Sequence, residues 1–256
     1  MLGVLRSEWV KVRSVASTWN TLAVIAALVA LMAFMAWQGV QGWDGLTPER
    51  RVKFEAPPLE LVVLPFVQLC AAVLGILAIT PEYATGMIHG SIAVVPRRLE
   101  LLMSKAAVIA VIALIVGAVV PAATHFIAKM IVGNRPTFPG YAAPAPYEST
   151  MLLGLSLSVV VAALVGLGLG AALRVASGAL MAVTALLLML PTLARVLPDP
   201  WNVRIASITL LNLPSQFSGH SSPEVMLSPL GALAVMVAYV ITALGAGGFV
   251  IARRDA

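Results

Sequence analysis

Charge is what this chain has least of. Only 11% of its 256 residues are Asp, Glu, Lys or Arg, whereas an ordinary soluble domain carries roughly 25%. A water-soluble fold would have too little charge to cover its surface, so the shortage excludes one. Cysteine is scarcer still. Cys70 is the only one, so neither an intrachain disulfide nor a cysteine metal cluster can form. No G-x-x-x-x-G-K-[ST] run occurs. Lys105 follows Met103-Ser104 rather than a glycine-rich turn, so the chain has no ordinary phosphate loop for ATP. H-E-x-x-H and G-x-S-x-G are missing too. The three histidines, His89, His125 and His220, lie far apart along the chain. His125 falls near the outer end of an apolar run and reads as an interfacial polar residue rather than a ligand. A lipid-processing enzyme inside the membrane would need acids or histidines converging near one face, and their spacing along the chain displays no such set. Catalytic, cofactor-binding and metal-ligating residues are therefore not expected, and neither is enzymatic activity in this chain.

Apolar length is what the chain has in abundance. It is 60% hydrophobic, with a mean hydropathy of +0.98. Six runs, Thr18–Trp37, Leu59–Thr80, Ala106–Phe126, Met151–Leu173, Gly178–Leu197 and Pro229–Ala252, each reach the roughly 20 residues that a helix needs to cross a hydrocarbon core of about 30 Å. The alternating pattern of a membrane barrel is absent. The expectation is an all-α integral membrane protein, a single transmembrane domain over residues 1–256. The first run is longer than a typical signal-peptide core, so it reads as a retained helix. Arg174-Val175-Ala176-Ser177 leaves only a tight hairpin between spans four and five.

An even number of spans puts both termini on one side. That side carries Arg6, Lys11, Arg13, Arg97, Arg98, Lys105, Arg174, Arg253 and Arg254 against four acids, Glu8, Glu82, Glu100 and Asp255. On the other side the seven basic residues, Arg50, Arg51, Lys53, Lys129, Arg135, Arg195 and Arg204, meet seven acids, Asp44, Glu49, Glu55, Glu60, Glu148, Asp199 and Glu224. The basic excess places the termini in the cytoplasm, in a multi-pass protein of the inner (plasma) membrane. A net positive charge distributed this way concerns topology, not nucleic acid.

Residues 1–17 read as an interfacial helix. Leu2, Leu5, Trp9, Val12 and Ala16 share a narrow arc, while Glu8, Lys11 and Arg13 lie outside it. A basic polar face with a tryptophan opposite suits the membrane plane. The stretch 81–98 raises a different question, because it is a structured-looking insert between two spans. Pro81 suits a first helical position, and Pro96 ends a helix. Gly86 and Gly90 are four apart and share a face without bulk. Met87, Ile88 and Ile92 add apolar surface to a segment expected to meet water, which reads as a docking surface. Two roles fit Glu82: a carboxylate favoured by the helix dipole, or an acid at the membrane edge that ties the spans to the docking helix. Arg97 and Arg98 hold topology, or pair with a partner's acids, Glu82 or Glu100.

At these residues the chain resembles a known family. Glu82-Tyr83-Ala84-Thr85-Gly86, then Pro96-Arg97-Arg98, then Lys105 is similar to the cytoplasmic loop of ABC-2 type transporter permeases, in particular small permeases of actinobacterial drug and antibiotic exporters. Arg6-Ser7-Glu8-Trp9-Val10-Lys11 with Arg13-Ser14, and the ending Arg253-Arg254-Asp255-Ala256, resemble the same family, so the likeness covers the whole chain. Met87 departs from it, standing where a small polar residue is the rule. The resemblance implies that the insert is a coupling helix seated in a cytoplasmic ABC ATPase subunit, with Glu82, Gly86, Met87, Gly90, Arg97 and Arg98 as coupling residues. It implies that Glu8, Trp9, Lys11 and Arg13 of the interfacial helix contact that subunit. It implies two permeases with two ATPases, ATP and Mg held on the partner, and export of an amphiphilic or lipophilic compound such as a drug, antibiotic, peptide or lipid. The contrasting reading is a non-transporting sensor or immunity scaffold that binds a peptide or partner protein.

Within the spans, Gln68, Ser156, Ser158, Thr184 and Thr242 are expected to join helices. Gly166 and Gly170 have the spacing of a close helix contact, including one across a dimer. Pro65 and Pro191 are expected to bend their helices. The Trp43–Pro58 stretch is expected to cap the outer mouth. Trp201–Leu213 is too short to cross, so it lies in the outer interface or re-enters.

Overall fold

A computed structural model of the chain describes residues 16–51, 54, 58–85, 98–133, 135, 145–219 and 227–254. Among them the regular structure is helical throughout. Six helical stretches are long and apolar enough to cross a membrane. They are α1 (Ala16–Asp44), α3 (Leu59–Leu77), α5 (Arg98–Val132), α6 (Ala145–Leu173), the broken helix α7 (Ala176–Thr184) with α8 (Leu190–Ala194), and α11 (Pro229–Arg254). Short helices fill the joints: α2 (Pro48–Arg51), α4 (Thr80–Ala84), α9 (Trp201–Ile208) and α10 (Leu213–Phe217). Glu8, Trp9, Lys11 and Arg13 lie outside the described residues, as do Gly86, Met87, Gly90 and Arg97. Arg98 opens α5.

Several helices overrun the apolar runs that announce them. α1 continues from Trp37 to Asp44, α5 begins at Arg98 rather than Ala106, and α6 begins at Ala145 rather than Met151. Hydropathy registers the part of a helix inside hydrocarbon, while the backbone ladder continues through polar residues beyond it. At 35 residues, α5 is about 52 Å long. The outcome corrects one boundary: the Pro81–Ser104 connection is helical from Arg98 onward, so Lys105 stands inside α5 and not in a loop.

α6 is the central post. It is apolar all the way round, the pattern of a helix enclosed on every side, and 72% of its most apolar window is buried. It packs on α3, α5 and α11. Glycines permit this closeness. A Cβ on Gly75 of α3 would lie 2.0 Å from the Ala163 carbonyl oxygen of α6, and one on Gly166 would lie 2.2 Å from that of Ala72. A Cβ on Gly168 would meet the Ala243 backbone of α11 at 2.4 Å. The Gly166/Gly170 spacing is thus spent within the chain: Gly166 faces α3, and Gly170 faces Ile76 and Ile79. On the α5 side the Ser156 hydroxyl donates to the Gly117 carbonyl at 2.8 Å, one of the interhelical bonds expected of the span polar residues. Ser158 and Thr242 bond instead within their own helices.

α7 passes into α8 through a π-helical turn, Ala185–Met189. The Leu190 N–H donates to the Ala185 carbonyl, one residue further back than in an α-helix. Pro191, which has no N–H of its own to give, follows at once, a common setting for such a turn. Beyond it the chain folds back inward. Gln68, nine residues into α3, donates to the Leu210 carbonyl at 3.4 Å, and Tyr239 donates to that of Ile208 at 3.0 Å. Leu210, Leu213 and Gln216 are buried between α3, α6 and α11. The later part of this segment, from Thr209 to Gln216, therefore packs into the bundle, while α9 before it has no buried residue.

Candidate coupling site

At the end of the bundle that holds the α6–α7 hairpin and the close of α11, five elements meet. Ile79, Leu102, Ala106, Leu167, Ala171 and Ile251 form one apolar cluster, with Tyr83 against it. α3 stops at Leu77, and the Thr80 hydroxyl donates to the Ile76 carbonyl at 3.0 Å. α4 then starts with Pro81 in its first turn, where a missing N–H breaks no bond. This short helix turns Glu82 inward, 7% exposed.

Lys105 answers it from α5. Its Nζ donates to Glu82 Oε1 at 2.8 Å and to the Ala78 carbonyl at 3.1 Å. The two side chains are 1% and 9% exposed. In a buried pair each charge answers the other, and removing either half leaves the other stranded. Tyr83 takes the second contact: the Arg174 guanidinium stands 5.2 Å from its ring centre, within reach of a cation–π attraction. Arg174 holds a left-handed backbone, φ 61°, and also donates to the Val250 carbonyl of α11 at 3.3 Å. Glu82 and Tyr83 thereby connect the start of the 81–98 insert to α5, to the α6–α7 hairpin and to α11. Among the described residues Glu82 pairs with Lys105 of α5.

The opposite end contains a polar cluster that the sequence reading did not foresee. Glu60 in the first turn of α3, His125 and Lys129 on α5, and Glu148 in the first turn of α6 come together. His125 Nδ1 lies 2.9 Å from Glu60 Oε1, and its Nε2 lies 3.8 Å from Glu148 Oε2. Lys129 pairs with Glu148. His125 is 3% exposed and Glu60 4%, so His125 is enclosed by the bundle rather than turned to its surface. Acids and a histidine do converge, contrary to expectation, because 65 residues of sequence separate Glu60 from His125 and only packing closes the gap. Their signal in the sequence is isolation: each is an ionisable residue set among apolar neighbours. Among the described residues no group of three His, Cys, Asp or Glu side chains has the arrangement of a metal site. Further out, Arg135 grips Asp44 at 2.8 and 3.0 Å, and Trp43 sits beneath Arg51 at 4.3 Å. Both contacts fall at the start of the Trp43–Pro58 stretch.

The chain matches no known protein-family model, and it matches none of the curated proteins.

Proposed function

We propose that this chain is the membrane-spanning subunit of an ABC-2 type transporter, driven by a separate cytoplasmic ABC ATPase and exporting an amphiphilic or lipophilic compound. The observation that carries the reading is the buried Glu82–Lys105 pair with its neighbour Tyr83–Arg174. A docking insert moves a membrane bundle only if both of its ends are fastened to spans. Here the leading end is fastened through Glu82 and Tyr83, and the trailing end runs without a break into α5 at Arg98. A push on residues 86–97 would reach α3, α5, α6 and α11 together. On this reading the end bearing the insert faces the cytoplasm, ATP and Mg belong to the partner, and two copies of the chain work with two ATPases.

Co-purification in mild detergent from the native host tests it. The expected result is a stoichiometric soluble subunit carrying a phosphate loop. A chain that purifies alone in every mild condition would sink the proposal and favour the sensor or scaffold reading. A second test targets the docking face. Gly86→Trp is expected to insert and fold normally, while losing the ATPase and all transport, because bulk at a close-approach position keeps a partner out. Normal transport by that variant would remove the docking argument.

A further inference from the structure

We infer that the cluster of Glu60, His125, Glu148 and Lys129 is a proton-binding site, and that the bound proton latches the outer ends of α3, α5 and α6 together. Both ring nitrogens of His125 face carboxylates, Nδ1 at a hydrogen-bond distance of 2.9 Å and Nε2 at 3.8 Å, an electrostatic approach rather than a hydrogen bond. Only the doubly protonated imidazole has a donor for each. A neutral ring would turn a lone pair toward one of the two acids, with the ring itself buried.

The charges give the same answer independently. Lys129 balances Glu148. Glu60 has His125 alone: among the described residues its Oε2 is buried with no hydrogen-bond partner. Among the described residues the cluster is neutral with a proton on His125 and carries one uncompensated negative charge without it. No other described group at this end supplies the missing charge. Asp44, Arg51 and Arg135 engage one another around Trp43, and Glu49 and Arg50 are exposed on α2. Phe126 adds only a ring edge to His125.

The sign follows. The proton is held at low pH, where the three helix ends are locked. As pH rises through the titration of His125, Glu60 is stranded and the ends part. The mouth opposite the coupling site is thus sensitive to the proton concentration on its own side. The inference does not depend on what the chain transports.

The experiment uses the full chain in nanodiscs of phosphatidylethanolamine and phosphatidylglycerol, between about pH 6 and about pH 9. His89→Gln with His220→Gln leaves His125 as the single histidine for nitrogen NMR. Both ring nitrogens are expected to carry protons at the acid end, with one lost on the way up. Amide exchange in Thr150–Leu152, corrected for its intrinsic pH dependence, is expected to rise about tenfold over the same range, the scale of one stranded buried group. Glu60→Gln makes the cluster neutral without the proton, so exchange there should change less than about twofold. A bare ring nitrogen at pH 6, flat exchange in the parent protein, or pH-dependent exchange surviving Glu60→Gln would each overturn the inference. The NMR spectra stand even if Glu60→Gln does not fold.

Discussion

Lys105→Ala is expected to destabilise the protein by about 3 kcal/mol, because it leaves the Glu82 carboxylate buried without its ammonium partner. Thermal unfolding in detergent would record this as a clear loss of Tm against the parent. The expectation sharpens with the apolar replacement of both partners. Exchanging a buried ion pair for well-packed apolar side chains is often neutral or stabilising, so Glu82→Leu with Lys105→Met is expected to regain most of the lost stability. If the pair is the fastening of a coupling insert, that double variant folds but does not transport, even in the presence of the ATPase. Transport at the parent rate in the double variant would show that the pair only holds the bundle together. Stability and coupling are read from the same two residues, and the pair of assays separates them.

Gly75→Ala is expected to do still more damage, although it adds one methyl group. The methyl would overlap the Ala163 carbonyl oxygen at 2.0 Å. That atom belongs to the backbone of the central helix and cannot rotate away. Overpacking costs typically about 1–3 kcal/mol where side chains can shift, and here the helices themselves must separate. The expected outcome is loss of a monodisperse folded species on size-exclusion chromatography. Gly166→Ala, which meets Ala72 from the other side at 2.2 Å, is expected to behave the same way. Gly245→Ala is the control. A Cβ there meets nothing within 4 Å, so the helix gains propensity and loses no contact. Equal behaviour of Gly75→Ala and Gly245→Ala would refute the close-packed seam between α3 and α6.

These two predictions show where the sequence was informative and where it was not. The six spans were legible because each is a continuous apolar run, and hydrocarbon imposes a minimum length on any helix that crosses it. Their true ends were not, since Asp44, Arg98 and Ala145 continue helices that the bilayer no longer constrains. The glycines of α6 announced close contacts but not their recipients. Gly166 turns to α3 and Gly168 to α11, a choice made by the rotation of α6 in the bundle. Glu82 was legible as a residue of interest, and Lys105 was legible as part of a motif. That they meet required α4 to turn back toward α5 over 23 residues of chain. The Glu60–His125 contact was the least legible, since nothing within either residue's own helix marks the other as a partner. Isolation of charge in apolar sequence was the available sign.

The π-helical turn at Ala185–Met189 also bears on how this protein can change length. A π turn is what remains when one residue too many has been taken up by a helix without interrupting it. The fifth span has already absorbed such a surplus, and few of its residues are buried by the rest of the chain. Removing one residue from Ala185–Met189 should therefore relax the turn to an ordinary helix and still yield a folded protein. The same deletion between Gly166 and Gly170 would swing each later residue by about 100°, pointing side chains at backbones on two sides at once. Expression of the two deletions side by side would compare a helix with slack and a helix with none. A change of length has room along the fifth span, while the fourth has none to give.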